Sequence, residues 1–182
     1  MIQINDTDRP LFTNPEMNIC FVKTNTITGD VSYHYGKNII TVDGNLFYAQ
    51  KAAEDASITS DFAGASGRME LRTGSATPAN TDTYTHVTTP VTTSRKIITS
   101  GYPKTADADT DNTGSGTTVV TWVTSWTTAD FNATGIIGGC IHVGAASPVG
   151  GTKLLTHFSI SSFDKTASDT LKVFVNHTFL GV

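Results

Sequence analysis

The stretch LLTHFSISSFDKTASDTLKVFVNHTF, Leu154 to Phe179, decides the fold class of this chain. Two runs rich in strand-forming residues flank a polar turn, which predicts an antiparallel hairpin at the end of the sequence. In its second arm Leu171, Val173 and Val175 point one way, with Lys172, Phe174 and Asn176 opposite. In the first arm strict alternation puts Leu154, Phe158 and Ile160 on one face and Leu155, His157 and Ser159 on the other. Phe174 and Leu155 are then apolar residues on otherwise polar faces. That is expected where a helix, an arm or another subunit covers part of the outer surface.

Working outward from this hairpin, the other signals are also mostly β. NICFVK (Asn18 to Lys23) and DVSYHY (Asp30 to Tyr35) form a hairpin candidate, joined by the turn chemistry of Thr28-Gly29-Asp30. DVSYHY alternates Val31, Tyr33 and Tyr35 with Ser32 and His34. RMELRT (68–73), SRKIITSGY (94–102), TTVVTWVTSW (117–126) and IIGGCIHVG (136–144) read as further strands, separated by clusters of Gly, Pro, Asp and Asn. One helix is predicted in VDGNLFYAQKAAEDAS, capped by Asp43 or Asn45, with Leu46, Phe47, Ala49, Ala53 and Ala56 on its apolar stripe. The opening residues, with Pro10 and Pro15 and no hydrophobic period, read as an extended arm that Leu11 and Phe12 could tie to a neighbour. The expected architecture is a mainly β, antiparallel, jelly-roll-like β-sandwich over residues 38–182, preceded by an N-terminal arm and hairpin over 1–37.

Composition narrows the function. The 182 residues are 38% hydrophobic and only 15% charged, and threonine supplies about one residue in six. Threonine is β-branched and suits the solvated face of a sheet. The net charge of −4, with no basic run beyond Arg95-Lys96, argues against a nucleic-acid surface. No apolar stretch is long enough for a membrane-spanning helix, and MIQINDTDRPLF lacks the features of a secretory signal. Synthesis and folding in the cytoplasm are therefore expected, with Cys20 and Cys140 reduced and buried rather than bridged.

Candidate chemistry is sparse. Asp107, Asp109 and Asp111 begin like a calcium loop, but the sixth and twelfth positions hold Asn112 and Thr118, which excludes an EF-hand. A solvated acidic turn is the simpler reading. None of His34, His86, His142, His157 and His177 has close zinc-type spacing, although His157 and His177 could meet across the terminal hairpin. No GxSxG, P-loop or HExxH occurs, and nothing in the spacing sets Glu54, Asp55 or Glu70 opposite a second carboxylate. No cofactor is implied. Trp122 and Trp126 share a strand face with Val120; exposed they would form a stacking platform for sugars, buried they would fill the core or a subunit contact. The apolar Val120 beside them favours burial.

Three segments carry a resemblance. MELRTGSATPANTDT (69–83), NIITVDGNLFYAQ (38–50) and GGTKLLTHFSISSFDKTASDTLKVFVNHTF (150–179) resemble segments of structural proteins from tailed bacteriophage particles. The resemblance spans most of residues 38–179, while residues 1–37 match no pattern of that family. It implies a non-enzymatic virion protein assembled in the host cytoplasm, with no catalytic residues. The expected role is a capsid decoration (cement) subunit that docks on the major capsid protein or other virion proteins and on copies of itself. A neck, tail or fibre accessory protein is the alternative, as is a virion module that binds host glycan. An enzyme acting on host envelope sugars would need paired carboxylates that the sequence does not display. The expected interface residues are Leu11, Phe12, Trp122, Trp126, Leu155 and Phe174.

Overall fold

The computed structural model describes residues 17–55, 62, 66–105, 119–143 and 152–179, so Leu11, Phe12 and the Asp107–Asp111 loop lie outside the described residues. Among the described residues nine strands run in chain order: β1 (Ile19–Asn25), β2 (Val31–Ile40), β3 (Gly67–Arg72), β4 (Lys96–Ile97), β5 (Lys104–Thr105), β6 (Val119–Trp126), β7 (Ala133–Val143), β8 (Leu154–Lys165) and β9 (Asp169–Thr178). One helix, α1 (Val42–Ala52), follows β2. The strands form one antiparallel sheet in the order β4-β3-β7-β8-β2-β1-β9-β6-β5.

The connectivity forces this sheet to curl. β4 and β5 lie on opposite edges, yet only residues 98–103 separate them in sequence. Laid flat, nine strands would stretch roughly 38 Å from first to last. A linker of this length reaches only about 25 Å when fully extended. The edges must therefore swing toward each other, and Thr99 N donates to Val123 O of β6 at 2.8 Å across the gap. The result is a half-barrel. The mainly β, antiparallel class with one short helix is what the strand signals led us to expect.

The inner face of the curl holds the main core. β1 contributes Ile19 and Phe21, β3 Met69 and Leu71, and β6 Trp122 and Trp126. β8 adds Phe158 and Phe163, and β9 adds Leu171, Val173 and Val175. Phe21 meets Phe158 and Phe163 edge-on, at centroid distances of 6.0 and 5.4 Å.

The terminal hairpin is not a hairpin. β8 pairs with β7 and β2, and β9 pairs with β1 and β6, so the β1–β2 hairpin is inserted between them. β8 pairs with β2 from Thr156 to Ile160, then leaves it and continues along β7 through Phe163 and Lys165. The turn that follows is closed by Asp169, whose carboxylate accepts from Thr166 N and Oγ1 at 2.8 Å each. The tip of the inserted hairpin docks on that turn, with Thr26 N donating to Ser168 O at 2.8 Å. The hairpin therefore lies at the centre of the sheet, and the expected division between residues 37 and 38 falls inside β2.

Alternation in β8 also breaks. Ile141 pairs with Thr156 but His142 pairs with Leu154, so an extra residue bulges at the start of the strand. The bulge turns Leu155 inward with Phe158, while Leu154 joins Cys140 and Val87 on the outer side. α1 is capped by Thr41, whose hydroxyl accepts from Gly44 N at 3.1 Å, rather than by Asp43 or Asn45. Its buried positions are Gly44 and Phe47, and Leu46 faces solvent. A Cβ on Gly44 would lie 2.1 Å from Leu155 O, so the first helical turn rests directly on the β8 backbone.

Candidate functional site

Arg68, Glu70 and Arg72 alternate with core residues along β3, a pattern that suggests a solvated face. Instead, residues 73–95 cross over the outer face of β3, β7 and β8 and bury it. Glu70 and Arg72 are fully enclosed. The Glu70 carboxylate accepts from Arg95 Nη2 at 2.9 Å and Nε at 3.3 Å and from Tyr84 Oη at 2.9 Å, and His142 Nε2 lies 3.3 Å away. Burial alone would raise this carboxyl, but the contacts from His142, Arg95 and Tyr84 outweigh it and hold the pKa below the ordinary glutamate value. Arg72 donates to Gly74 O, to Ala76 O at 3.0 Å and to Ser159 Oγ at 2.7 Å. Asp82 of the same strap meets His157 Nδ1 at 2.7 Å.

This cluster has the ingredients of chemistry without the access. Cys140 pairs with Glu70 and His157 in the ladder, and burial pushes its thiol pKa well above the ordinary range, which favours the protonated thiol. The Glu70 carboxylate already has its donors in place. The arrangement fastens the strap to the sheet. Sequence reasoning missed it, although a connection as long as 73–95 without a strand of its own is unusual enough to signal a covering role.

The aromatic residues expected at an interface are mostly internal. Trp122 and Trp126 have 0% and 2% exposure. Trp122 Nε1 donates to Tyr48 Oη at 2.8 Å, and Tyr48 Oη is 2.6 Å from His177 Nδ1. With the indole donating to its oxygen, the phenol hydrogen is directed to the imidazole, which must be neutral to accept it. Burial agrees, lowering the His177 pKa to about 3. Trp126 Nε1 donates to Ser94 O at 2.7 Å. Both indoles are thus satisfied inside the core, and neither offers a face to sugars or to another subunit. Leu155 is buried beside α1, and Phe174 is buried in a cluster on the outer side of the sheet. His157 and His177 do not meet, because β1 and β2 separate their strands.

The outer face of β2 carries a largely apolar stripe. Its register places Val31, Tyr33, Tyr35, Lys37 and Ile39 outward, and Ser32 and His34 inward. Val31, Tyr33 and Ile39 are 42%, 39% and 36% exposed. Ile27 on the hairpin tip and Val42 and Leu46 at the start of α1 are also exposed, so among the described residues six of the seven exposed large hydrophobics lie between residues 27 and 46. The Tyr33 and Tyr35 rings are parallel within 15°, with centroids 6.4 Å apart. Beside them, Cys20, Val22, Val123 and Phe174 form a second, outward cluster against Tyr35 and Tyr102. Lys172 lies over the Phe174 ring at 4.8 Å, and Lys104 lies over Tyr102 at 5.1 Å. The outward positions of β1, β2, β9, β6 and β5 carry no carboxylate.

A shallow depression of ≈ 470 Å³ at the β8–β9 turn is lined by Asn132, Thr134, Asp164, Lys165 and Thr166. Asp164 there accepts from Gly135 N at 2.7 Å, and Lys165 turns inward to Phe131 O at 2.8 Å. No group of metal-binding side chains occurs among the described residues. Compared with known proteins, the chain matches no family model, no curated protein and no solved structure.

Proposed function

We propose that this chain is a non-enzymatic structural protein of a bacteriophage virion, a decoration subunit that docks on the capsid shell and associates with its own copies. One observation carries the reading: four of the five outward-facing side chains of β2, Val31, Tyr33, Tyr35 and Ile39, are aliphatic or aromatic, while the inward-facing Ser32, His34 and Asn38 are polar. Scattered apolar residues on a surface need no explanation, but a stripe along one element marks a contact site. In this reading the half-barrel is a jelly-roll-like scaffold with its two halves facing across one core. The buried strap network keeps the scaffold rigid, and repetition over a shell multiplies weak contacts into firm attachment.

The test is mass spectrometry of purified particles from cells expressing the chain beside its phage, followed by imaging with the subunit labelled. The expected result is incorporation at many symmetric copies on the head. A label on the neck, tail or fibre would relocate the subunit within the particle, and its absence from particles would end the virion reading.

A further inference from the structure

We infer that residues 74–88 of the strap form a lid that acid releases from the outer face of β3, β7 and β8 while the sheet itself stays folded. This device lies within one chain and does not depend on the virion reading. The segment has the form of an Ω-loop, a compact excursion whose two ends meet. Its neck is closed by Thr73 N donating to Thr89 O at 3.1 Å and Gly74 N donating to Thr88 O at 3.2 Å. Thr89, at this neck, has a φ of 46°, a left-handed conformation that a β-branched residue rarely adopts. Such strain persists only while neighbouring contacts enforce it, so the closed loop holds its own hinge against preference.

Little holds the lid down. Within residues 74–88 only Asp82 and Val87 are buried, and segments with so few buried contacts open first. Val87 packs with Cys140 and Leu154, Tyr84 Oη donates to Glu70, and Asn80 O accepts from Val42 N at 2.7 Å. Arg72 holds the Gly74 and Ala76 carbonyls near the neck. The remaining clamp is Asp82 Oδ2 on His157 Nδ1, and the same carboxylate shapes the loop by accepting from Ala79 N at 2.8 Å.

That clamp is sensitive to protons. An ionised carboxylate only accepts, so Nδ1 carries the hydrogen and a neutral ring leaves Nε2 bare. His157 is fully enclosed, and its Nε2 meets no hydrogen-bond partner among the described residues. A proton added there would be a buried donor without an acceptor. The ionisable groups around the ring are Asp82 and His86 on the strap, Arg72 and Glu70 on β3, and Cys140 and His142 on β7. β2 sets Ile39 opposite, with Lys37 two residues along, and α1 brings Asp43, which pairs with Lys153 at 3.9 Å. Burial lowers the His157 pKa below its ordinary 6.5; Asp82 opposes the fall and the Arg72 charge adds to it. Release returns the ring to water and to its ordinary value. The closed lid is therefore fully stabilised above about 6.5 and loses that stabilisation as pH falls toward the lowered value.

Cys140 lies beneath Val87 and reports the opening, and Cys20→Ser removes the other thiol. The probe is a pyridyl disulfide, which labels thiols in acid as well as at neutral pH, with rates normalised to free cysteine at each pH. Labelling of Cys140 should accelerate by up to about tenfold per unit between about pH 6.5 and about pH 5, above the carboxylate range. His157→Gln keeps a donor for Asp82 but does not titrate, and should flatten that slope. Hydrogen exchange on the original chain, corrected for intrinsic rates, reads the same event without a substitution. Amides of Val42, Asp82 and Val87 should lose protection over this range while those of β1 and β9 keep theirs. Labelling indifferent to pH, a slope that survives His157→Gln, or β1 and β9 losing protection in step with the loop would overturn the inference.

Discussion

His177 is kept neutral in the core because an imidazolium there would lose its hydration, and its pKa falls to about 3. Burial likewise lowers His157, and the depressed Glu70 carboxyl adds to the same trend. For each group the folded pKa lies below the unfolded one. Their stabilisation is therefore complete above the unfolded values and is lost as pH falls through the window toward the folded ones. For His177 that window runs from about 6.5 to about 3. One such proton removes up to about 1.4 kcal/mol per pH unit. Urea unfolding between pH 7 and 4 should show falling stability, and His177→Gln, which keeps an acceptor for Tyr48, should flatten the slope. An unchanged slope would place the titration at other groups. Glu70→Gln is expected to cost about 3 kcal/mol, because it removes the carboxylate that the nearly buried Arg95 guanidinium pairs with. The same variant should speed tryptic cleavage after Arg95, since Arg95 and Tyr84 anchor the strap through that carboxylate.

Gly44 shows how packing overrides propensity within an element. Alanine there would favour an isolated helix by about 1 kcal/mol. In this fold the new methyl would sit 2.1 Å from Leu155 O, a backbone atom that cannot rotate away. Gly44→Ala should therefore destabilise the protein by at least about 1 kcal/mol in urea, and a stabilised variant would mean that α1 does not rest on β8. The helix itself is legible from its apolar and alanine-rich sequence, as is the β1–β2 hairpin from Thr28-Gly29-Asp30. The cap and the buried stripe are less so. Thr41, Asp43 and Asn45 are all competent caps, and only the contact of Thr41 with β8 selects among them. Leu154 and Leu155 are equally apolar, so strict alternation cannot reveal the bulge that sends them to opposite faces. RMELRT has the period of a half-solvated strand, and the strap that buries its polar side is written in a distant, Thr-rich segment with no period at all.

At the scale of the whole molecule, topology is what local pattern conceals. Thr166-Ala167-Ser168 is an ordinary tight turn, and nothing local says whether its two arms pair or splay to admit another hairpin. The decision belongs to β1 and β2, more than a hundred residues away in sequence. The outward stripe was equally visible as an alternation, but which face of β2 meets solvent depends on neighbours that arrive last along the chain. The same wiring ties the stability of the sheet to β9, which pairs with β1 on one side and β6 on the other. A chain ending at Lys165 would expose both strands as raw edges, strip Val173 and Val175 from the core, and remove the acceptor His177 supplies to Tyr48. It should therefore be unfolded by near-ultraviolet circular dichroism, where Trp122 and Trp126 report packing. In the intact protein, amides of β1 and β9 should exchange only through global unfolding, while the two-residue edge strands β4 and β5 exchange by local fraying. Native-state hydrogen exchange distinguishes this order from its reverse. Slow exchange at β4 and β5 with fast exchange at β1 would place the stable centre of the sheet away from the inserted hairpin.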